Sequence, residues 1–191
     1  MNLPNKLTVA RIIATPIFMF TMITDFTGHY IAALVIFALA SYTDYLDGKI
    51  ARRDGLVTDF GKFLDPLADK MLTTAAYLGL LAAHACPGIT WIVFIVLFRE
   101  FMITSLRLVA VQNGTVIAAN MWGKAKTVCQ MVSIIVTLAI AAFANIVPVS
   151  TTVAAIFMVI ITLLLWTSAV LTVISGVVYM VQNKEAFLSS K

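Results

Sequence analysis

The stretch from Ser41 to Met71 reads SYTDYLDGKIARRDGLVTDFGKFLDPLADKM, and it carries most of the nine carboxylates in the chain. Asp44 and Asp47 are three residues apart, so they share one face of a helix. Asp65 and Asp69 are four residues apart and share a face of the next helix. Four neighbouring carboxylates repel one another, and beside lipid they are costlier still, unless a cation neutralises them. Because the stretch has no His or Cys, it favours Mg²⁺, Mn²⁺ or Ca²⁺ over zinc.

Apolar residues dominate the rest of the chain. Of its 191 residues, 61% are hydrophobic and only 12% are charged, whereas soluble domains have roughly 45–50% and 25%. This composition excludes a disordered chain, a coiled coil and a nucleic-acid-binding tail, and it indicates an integral membrane protein. The net charge of +4 then points to basic cytoplasmic loops, with no nucleic-acid partner. Two cysteines are too few for a disulfide scaffold and are expected to pack as small hydrophobic residues.

Long uncharged segments indicate membrane-spanning helices. No Asp, Glu, Lys or Arg occurs from 71 to 98 or from 127 to 183, and the second segment is long enough for two spans. The sequence predicts six helices, at about 8–24, 29–48, 60–83, 90–111, 121–145 and 152–182. The expected fold class is therefore an all-α integral membrane protein, with residues 1–191 forming a single six-helix transmembrane domain.

The basic residues predict the orientation of these helices. Lys and Arg are absent from alternate turns, near 25–29, 84–90 and 145–151. The basic residues, Arg11 and Lys126 among them, lie at the opposite helix ends, which places both termini in the cytoplasm. The first apolar run, Ile12–Ile23, is followed by no small-residue cleavage site, so we expect a retained helix and not a signal peptide.

The acidic pairs belong to a longer pattern, Asp44-x2-Asp47-Gly48-x2-Ala51-Arg52-x8-Gly61-x3-Asp65-x3-Asp69. With every spacing intact, this pattern resembles the signature of the CDP-alcohol phosphotransferases. The flanking motifs Asn5-Lys6-Leu7-Thr8-x2-Arg11 and Gly123-Lys124-x-Lys126-Thr127 resemble the bacterial branch of that family that makes phosphatidylglycerophosphate. The resemblance implies the six-helix fold of the family, a homodimer, and a multi-pass protein of the bacterial cytoplasmic membrane whose active site faces the cytoplasm.

The resemblance also implies the reaction. A phosphatidyl group would pass from CDP-diacylglycerol to sn-glycerol 3-phosphate, with release of CMP. Asp44, Asp47 and Asp65 would hold two Mg²⁺ or Mn²⁺ ions. Asp69 would complete the metal site and act as the general base that takes the proton from the attacking hydroxyl.

Binding roles follow from the same resemblance. The residues implied in the nucleotide pocket are Asn5, Thr8, Asp44, Gly48, Ala51, Arg52 and Gly61. Taken by themselves, Asn5 and Thr8 are more typical of helix N-caps, since both lie near a predicted helix start. The residues implied for the phosphate of the acceptor are Arg107, Lys124 and Lys126, with Lys62 as a contributor. Lys124 and Lys126 could equally be anchors that contact lipid headgroups.

Other conspicuous residues receive structural interpretations. Arg99 and Glu100 interrupt an apolar helix, so we expect them to face the bundle interior with partners in a structural network. Trp91, Trp122 and Tyr179 are typical of the aromatic belts at the two membrane interfaces.

Two other functions remain open. The same chemistry could use inositol phosphate or phosphatidylglycerol as the acceptor. The carboxylates could instead form the ion path of a cation or proton transporter, although such a path needs polar groups toward the outer face, where the sequence offers few.

Overall fold

The computed structural model describes the backbone of residues 3–53, 59–112 and 121–184. Within these ranges, the side chains at 3–4, 45, 47–53, 59–63, 65–66, 69 and 111–112 fall outside the description. The described ranges contain six α-helices and no strand: α1 (Leu3–Ile23), α2 (His29–Arg53), α3 (Asp59–Ala82), α4 (Ile89–Gln112), α5 (Met121–Ile146) and α6 (Thr151–Gln182).

The helices follow the predicted segments except at two polar ends. Helix α1 is described from Leu3, five residues before the predicted start, and α2 continues to Arg53, five residues past its predicted end. Both extensions contain polar residues, so a prediction based on hydropathy assigns them to loops. Outside the hydrocarbon layer, however, a helix needs no apolar side chains. Pro4 also suits the first turn of a helix, where its missing N–H costs no hydrogen bond.

The chain divides into two compact units. Unit 1 comprises Met1–Ala85 and Ile134–Phe157, and unit 2 comprises Cys86–Ser133 and Met158–Lys191. In unit 1, α1 packs against both α2 and α3. The face that α1 buries in this packing repeats every three or four residues, as expected for one side of a helix. Its members are Asn5, Thr8, Arg11, Thr15, Phe18, Thr21 and Met22. The buried face is therefore polar over its first half, whereas its second half combines apolar side chains with the hydroxyl of Thr21.

Two contacts close the apolar end of unit 1. The rings of Phe18 and Phe37, both fully buried, lie with their centroids 5.8 Å apart. A Cβ atom on Gly79 would lie 2.9 Å from Cγ of Met22, so only glycine lets α3 approach α1 this closely. These contacts stabilise the end of the α1 core opposite to Asn5, Thr8 and Arg11.

Unit 2 contains α4, the first half of α5 and most of α6. Small or polar residues of α6 are buried here, which allows close approach between membrane helices. They are Ser168, Ala169, Thr172, Ser175 and Gly176. Gln130 of α5 donates a hydrogen bond to Thr172 Oγ1 at 3.3 Å, and Ser133 donates to the Leu164 carbonyl at 3.0 Å. These bonds cross between α5 and α6.

The surface of the helices is suited to lipid. Among the described residues, three segments are long and apolar enough to cross a membrane: Asn5–Ile23, Met121–Ile146 and Thr151–Gln182. Large apolar side chains such as Phe20, Phe98 and Leu163 are about 60% exposed. A soluble protein rarely presents so many exposed apolar side chains on its surface, so the structure is that of a helical membrane protein.

Candidate functional site

The acidic pairs lie on two consecutive helices at one end of unit 1. Asp44 and Asp47 belong to the last three turns of α2, and Asp65 and Asp69 to the first three turns of α3. Only the five residues 54–58 connect these helices, and such a link spans at most about 20 Å. The four positions therefore share one end of the unit. The side chains of Asp47, Asp65 and Asp69 lie outside the described residues, as do those of Gly48, Ala51, Arg52, Gly61 and Lys62.

Asp44 is the acidic residue of this set whose side chain the structure describes. Its Oδ1 accepts a hydrogen bond from Nη1 of Arg11 on α1, and the two groups form an ion pair. The Arg11 side chain is 1% exposed, whereas that of Asp44 is 40% exposed. The buried guanidinium is thus paired with a carboxylate that still reaches the surface. Burying a charge without a partner of opposite sign costs much free energy, and the ion pair reduces this cost.

Asn5 and Thr8 lie on the same buried face of α1 as Arg11. Asn5 is 6% exposed and Thr8 is fully buried. Both lie inside α1, which is described from Leu3, so the interpretation of these residues as N-caps is wrong. The side of α1 that packs against α2 and α3 is therefore lined by polar side chains over its first half.

In unit 2, Glu100 of α4 connects two cations. Its Oε1 accepts hydrogen bonds from Lys126 Nζ of α5 and from Arg99 Nη1 at 3.2 Å. Arg99 Nη2 donates to Ser175 Oγ of α6 at 2.8 Å. The prediction that Arg99 and Glu100 have partners inside the bundle is confirmed. Lys126 is 5% exposed, so its interpretation as a headgroup anchor is wrong, whereas Lys124 is exposed.

Arg107, eight residues after Arg99 on α4, contacts a second residue of α6. Its Nε donates a hydrogen bond to the Tyr179 hydroxyl at 3.3 Å, and its guanidinium carbon lies 5.6 Å from the centre of the tyrosine ring. Tyr179 is 1% exposed, so its assignment to an interfacial belt is wrong. Trp91 and Trp122 are exposed, as the belt interpretation requires.

Cys86, Cys129 and His29 lie outside these clusters. Cys86 is buried in the turn between α3 and α4, where burial raises the pKa of its thiol and keeps it protonated. Neither Cys86 nor Cys129 forms a disulfide. His29 is buried at the start of α2, with Nδ1 3.1 Å from the Thr21 carbonyl oxygen. Cys86 is therefore a buried residue of the turn before α4, and His29 is a buried residue at the start of α2.

Sequence reasoning missed three polar partners in these clusters. In the sequence, Arg11 serves only to predict orientation and as part of a flanking motif, although an arginine flanked by Ala10 and Ile12 in an apolar helix requires a buried partner. Ser175 and Tyr179 lie four residues apart in α6, which carries no charge, so no chemical signal distinguished them from lipid-facing residues. Their spacing on one helix face was the available hint.

The fold and these clusters define a helical membrane protein with polar and ionic clusters built into its helices. Comparison with known proteins narrows this class to a family. A model of the CDP-alcohol phosphatidyltransferase family matches residues 1–182, nearly the whole chain. The chain belongs to the CDP-alcohol phosphatidyltransferase family, and it is an enzyme of that class.

Individual relatives are consistent with this membership. The chain is 45% identical over 145 residues to a CDP-diacylglycerol–glycerol-3-phosphate 3-phosphatidyltransferase of Bacillus subtilis, covering 70% of this chain and 74% of the relative. It is 33% identical over 186 residues to a protein of the same name in Rickettsia bellii, covering 97% of both chains. It is 42% identical to a probable phosphatidylglycerophosphate synthase of Mycobacterium tuberculosis, of whose length the matched region spans 64%.

Proposed function

We propose that this protein is a phosphatidylglycerophosphate synthase. It transfers a phosphatidyl group from CDP-diacylglycerol to sn-glycerol 3-phosphate and releases CMP, a step toward phosphatidylglycerol. The observation that carries this proposal is the similarity to the Rickettsia bellii relative, which extends over 97% of both chains and bears the name of that transferase. The intact spacing of the four aspartates on α2 and α3 supports the same reaction.

The residues at the end of unit 1 suit a divalent cation. The four aspartates offer only carboxylate oxygens, the ligands that Mg²⁺ and Mn²⁺ prefer, and Asp44 is partly exposed. We assign Asp44, Asp47, Asp65 and Asp69 as the residues that hold two such ions. When bound, the ions neutralise the pyrophosphate and stabilise charge on the attacking and leaving oxygens.

The chain itself supplies the base and the nucleotide pocket. Asp69 takes the proton from the acceptor hydroxyl as that oxygen attacks the β-phosphorus of CDP-diacylglycerol, and CMP leaves. Gly48, Ala51 and Gly61 leave room for the cytidine and ribose, because small side chains let a ligand approach the backbone. Arg52 binds a phosphate through its planar guanidinium. We assign Asn5 and Thr8, on the buried face of α1, to the α1 side of the nucleotide pocket.

The acceptor differs from a neutral alcohol because it carries a phosphate dianion. We assign Arg107, Lys124 and Lys126 to that phosphate, with Lys62 contributing. Arg107 and Lys124 are exposed, so a soluble substrate can reach both. Glu100 accepts a hydrogen bond from Lys126. This contact orients the ammonium group and partly neutralises its positive charge.

The whole chain acts as one membrane domain. We propose six spans with both termini in the cytoplasm of a bacterial cell, a cytoplasmic active site and a homodimeric assembly. The distribution of basic residues supports this orientation. Labelling with a membrane-impermeant maleimide tests it in a cysteine-free background. Thr90→Cys should react in intact cells, and Lys184→Cys only after the membrane is opened. The reverse pattern would contradict the orientation.

The alternatives identified from the sequence differ in acceptor or in class. Inositol phosphate also carries a phosphate, so the basic residues cannot distinguish it from glycerol 3-phosphate, and an activity assay with each acceptor is needed. Phosphatidylglycerol is tested in the same assay. A cation path through unit 1 is disfavoured, because the fully buried rings of Phe18 and Phe37 interrupt the row of buried polar residues on α1.

The test is CMP release by purified protein in detergent with CDP-diacylglycerol. Each acceptor is supplied in turn: glycerol 3-phosphate, inositol phosphate and phosphatidylglycerol. The assay is repeated with Mg²⁺, with Mn²⁺ and with excess chelator. We expect metal-dependent release with glycerol 3-phosphate alone. Release with a different acceptor overturns the substrate assignment, and no release from folded protein overturns the enzymatic proposal.

A further inference from the structure

Helix α6 provides hydroxyl acceptors to two arginines of α4. Ser175 Oγ accepts from Arg99 at 2.8 Å, and Tyr179 Oη accepts from Arg107 at 3.3 Å. Ser175 and Tyr179 are one helical turn apart, whereas the two arginines are about two turns apart. The guanidiniums are thus drawn toward a single short segment of α6 instead of extending independently into lipid or water.

The two members of the Arg107–Tyr179 pair differ in exposure. Tyr179 is 1% exposed, so its ring and hydroxyl are held by the surrounding side chains. Arg107 is exposed, so one edge of its guanidinium faces Tyr179 while the rest can meet a ligand. An exposed arginine otherwise samples many rotamers, and ordering it on binding costs free energy. The tyrosine orders Arg107 before any ligand arrives, through a hydrogen bond at Nε and through the ring contact.

The charge of the surrounding groups favours an anion. The hydrogen bonds and ion pairs described for this cluster involve three cations, Arg99, Arg107 and Lys126. Within these described contacts they are balanced by one acid, Glu100. Ser175 and Tyr179 orient two of the cations without neutralising them, because a hydroxyl is an uncharged acceptor. An acidic residue in place of Ser175 or Tyr179 would neutralise positive charge that is needed to bind a phosphate dianion.

We propose that Tyr179 is a positioning residue for acceptor binding, which acts by holding the Arg107 guanidinium ready for the acceptor phosphate. The inference rests on the proposed function, in which Arg107 binds that phosphate. Tyr179 does not touch the reacting atoms. Its contribution is to lower the cost of ordering Arg107, so its loss weakens acceptor binding more than it slows turnover.

The test compares two variants that each delete one hydroxyl from α6. Tyr179→Phe keeps the ring and loses the acceptor for Arg107. Thr172→Val is the matched control, because Thr172 accepts an interhelical hydrogen bond of the same length, 3.3 Å, from the uncharged Gln130. For Tyr179→Phe we expect the KM for glycerol 3-phosphate to rise about three- to tenfold, with kcat and the KM for CDP-diacylglycerol within about twofold of the wild type. Thr172→Val should change none of the three.

A double-variant cycle distinguishes positioning from packing. In an Arg107→Lys background the Nε donor is gone, so adding Tyr179→Phe should have less than half of its effect on the KM. An unchanged KM for glycerol 3-phosphate in Tyr179→Phe overturns the proposal. Equal effects of Tyr179→Phe and Thr172→Val, or full additivity with Arg107→Lys, also overturn it.

Ligand-induced thermal stabilisation keeps this test separate from turnover. Glycerol 3-phosphate and inorganic phosphate should raise the melting temperature of the wild type more than that of Tyr179→Phe. If the wild type is stabilised but transfers to a different acceptor, the proposed function fails and the positioning role stands. If Tyr179→Phe is stabilised as much as the wild type, the positioning role fails whatever the acceptor. If phosphate ligands stabilise neither protein, Arg107 binds no phosphate and both proposals fail.

Discussion

Arg11 and Asp44 form an ion pair between α1 and α2 in which the two partners differ sharply in exposure. The guanidinium side chain is 1% exposed, and the carboxylate side chain is 40% exposed. The pair joins the buried polar face of α1 to the first aspartate of the acidic motif. It therefore connects the stability of unit 1 to the position of a residue that the proposed chemistry requires.

The unequal exposure predicts unequal costs when either partner is removed. Asp44→Ala removes a carboxylate that pairs with a buried guanidinium, which we expect to cost about 3 kcal/mol, at the low end for breaking a buried pair. Arg11→Met leaves an aspartate that water can reach, and should cost less than half as much. Melting curves in detergent measure both variants. A greater loss for Arg11→Met would show that the guanidinium has a packing role larger than its role in the ion pair.

Asp69 is predicted to be the general base. Asp69→Asn keeps the size of the side chain but cannot accept the proton, so turnover should fall by about 10²–10⁴-fold. The melting temperature should stay close to that of the wild type, which separates lost chemistry from lost fold. Asp54→Asn is the matched control, because Asp54 occupies a position that the motif leaves unspecified, so this variant should retain activity. Near-normal CMP release by Asp69→Asn would remove Asp69 from the catalytic role.

Glu100 and Lys126 are expected to respond differently to substitution. Glu100 accepts hydrogen bonds from both Arg99 and Lys126, so Glu100→Ala leaves two neighbouring cations that repel each other. Lys126→Met leaves the Arg99–Glu100 pair in place. We expect Glu100→Ala to be the more destabilising by about 1–2 kcal/mol. Lys126→Met should instead raise the KM for glycerol 3-phosphate. Equal melting temperatures would contradict the predicted role of Glu100.

Two glycines in the turns before α2 and α4 give a further matched pair. Gly28 and Gly88 have φ angles of +80° and +76°, so alanine at either position incurs backbone strain of about 1–2 kcal/mol. A Cβ at Gly28 would meet only Ile31 Cδ1 at 3.9 Å, whereas a Cβ at Gly88 would lie 2.9 Å from Cζ2 of Trp166. Gly88→Ala should therefore lower the melting temperature more than Gly28→Ala. Combining Gly88→Ala with Trp166→Phe should recover part of the difference.

The helices and the acidic motif could be predicted from the sequence because both depend on local features. Apolar runs of membrane-spanning length indicate helices with little regard to tertiary context. The spacing of Asp44, Asp47, Asp65 and Asp69 determines which carboxylates share a helix face. Family membership followed from the same spacing, and the comparison with the family model confirms it. The errors fell at the polar ends of α1 and α2, where hydropathy cannot distinguish a helix in water from a loop.

Only the tertiary structure decided which polar groups meet. Arg11 and Asp44 are 33 residues apart in the chain, and Arg107 and Tyr179 are 72 apart. No local pattern encodes such pairs, because they depend on how helices pack and on which side chains that packing hides from lipid. Lys126 and Tyr179 resembled interfacial residues in the sequence, yet both are buried. In a chain this apolar, the sequence determines which segments become helices, and burial between the helices decides which polar side chains become partners.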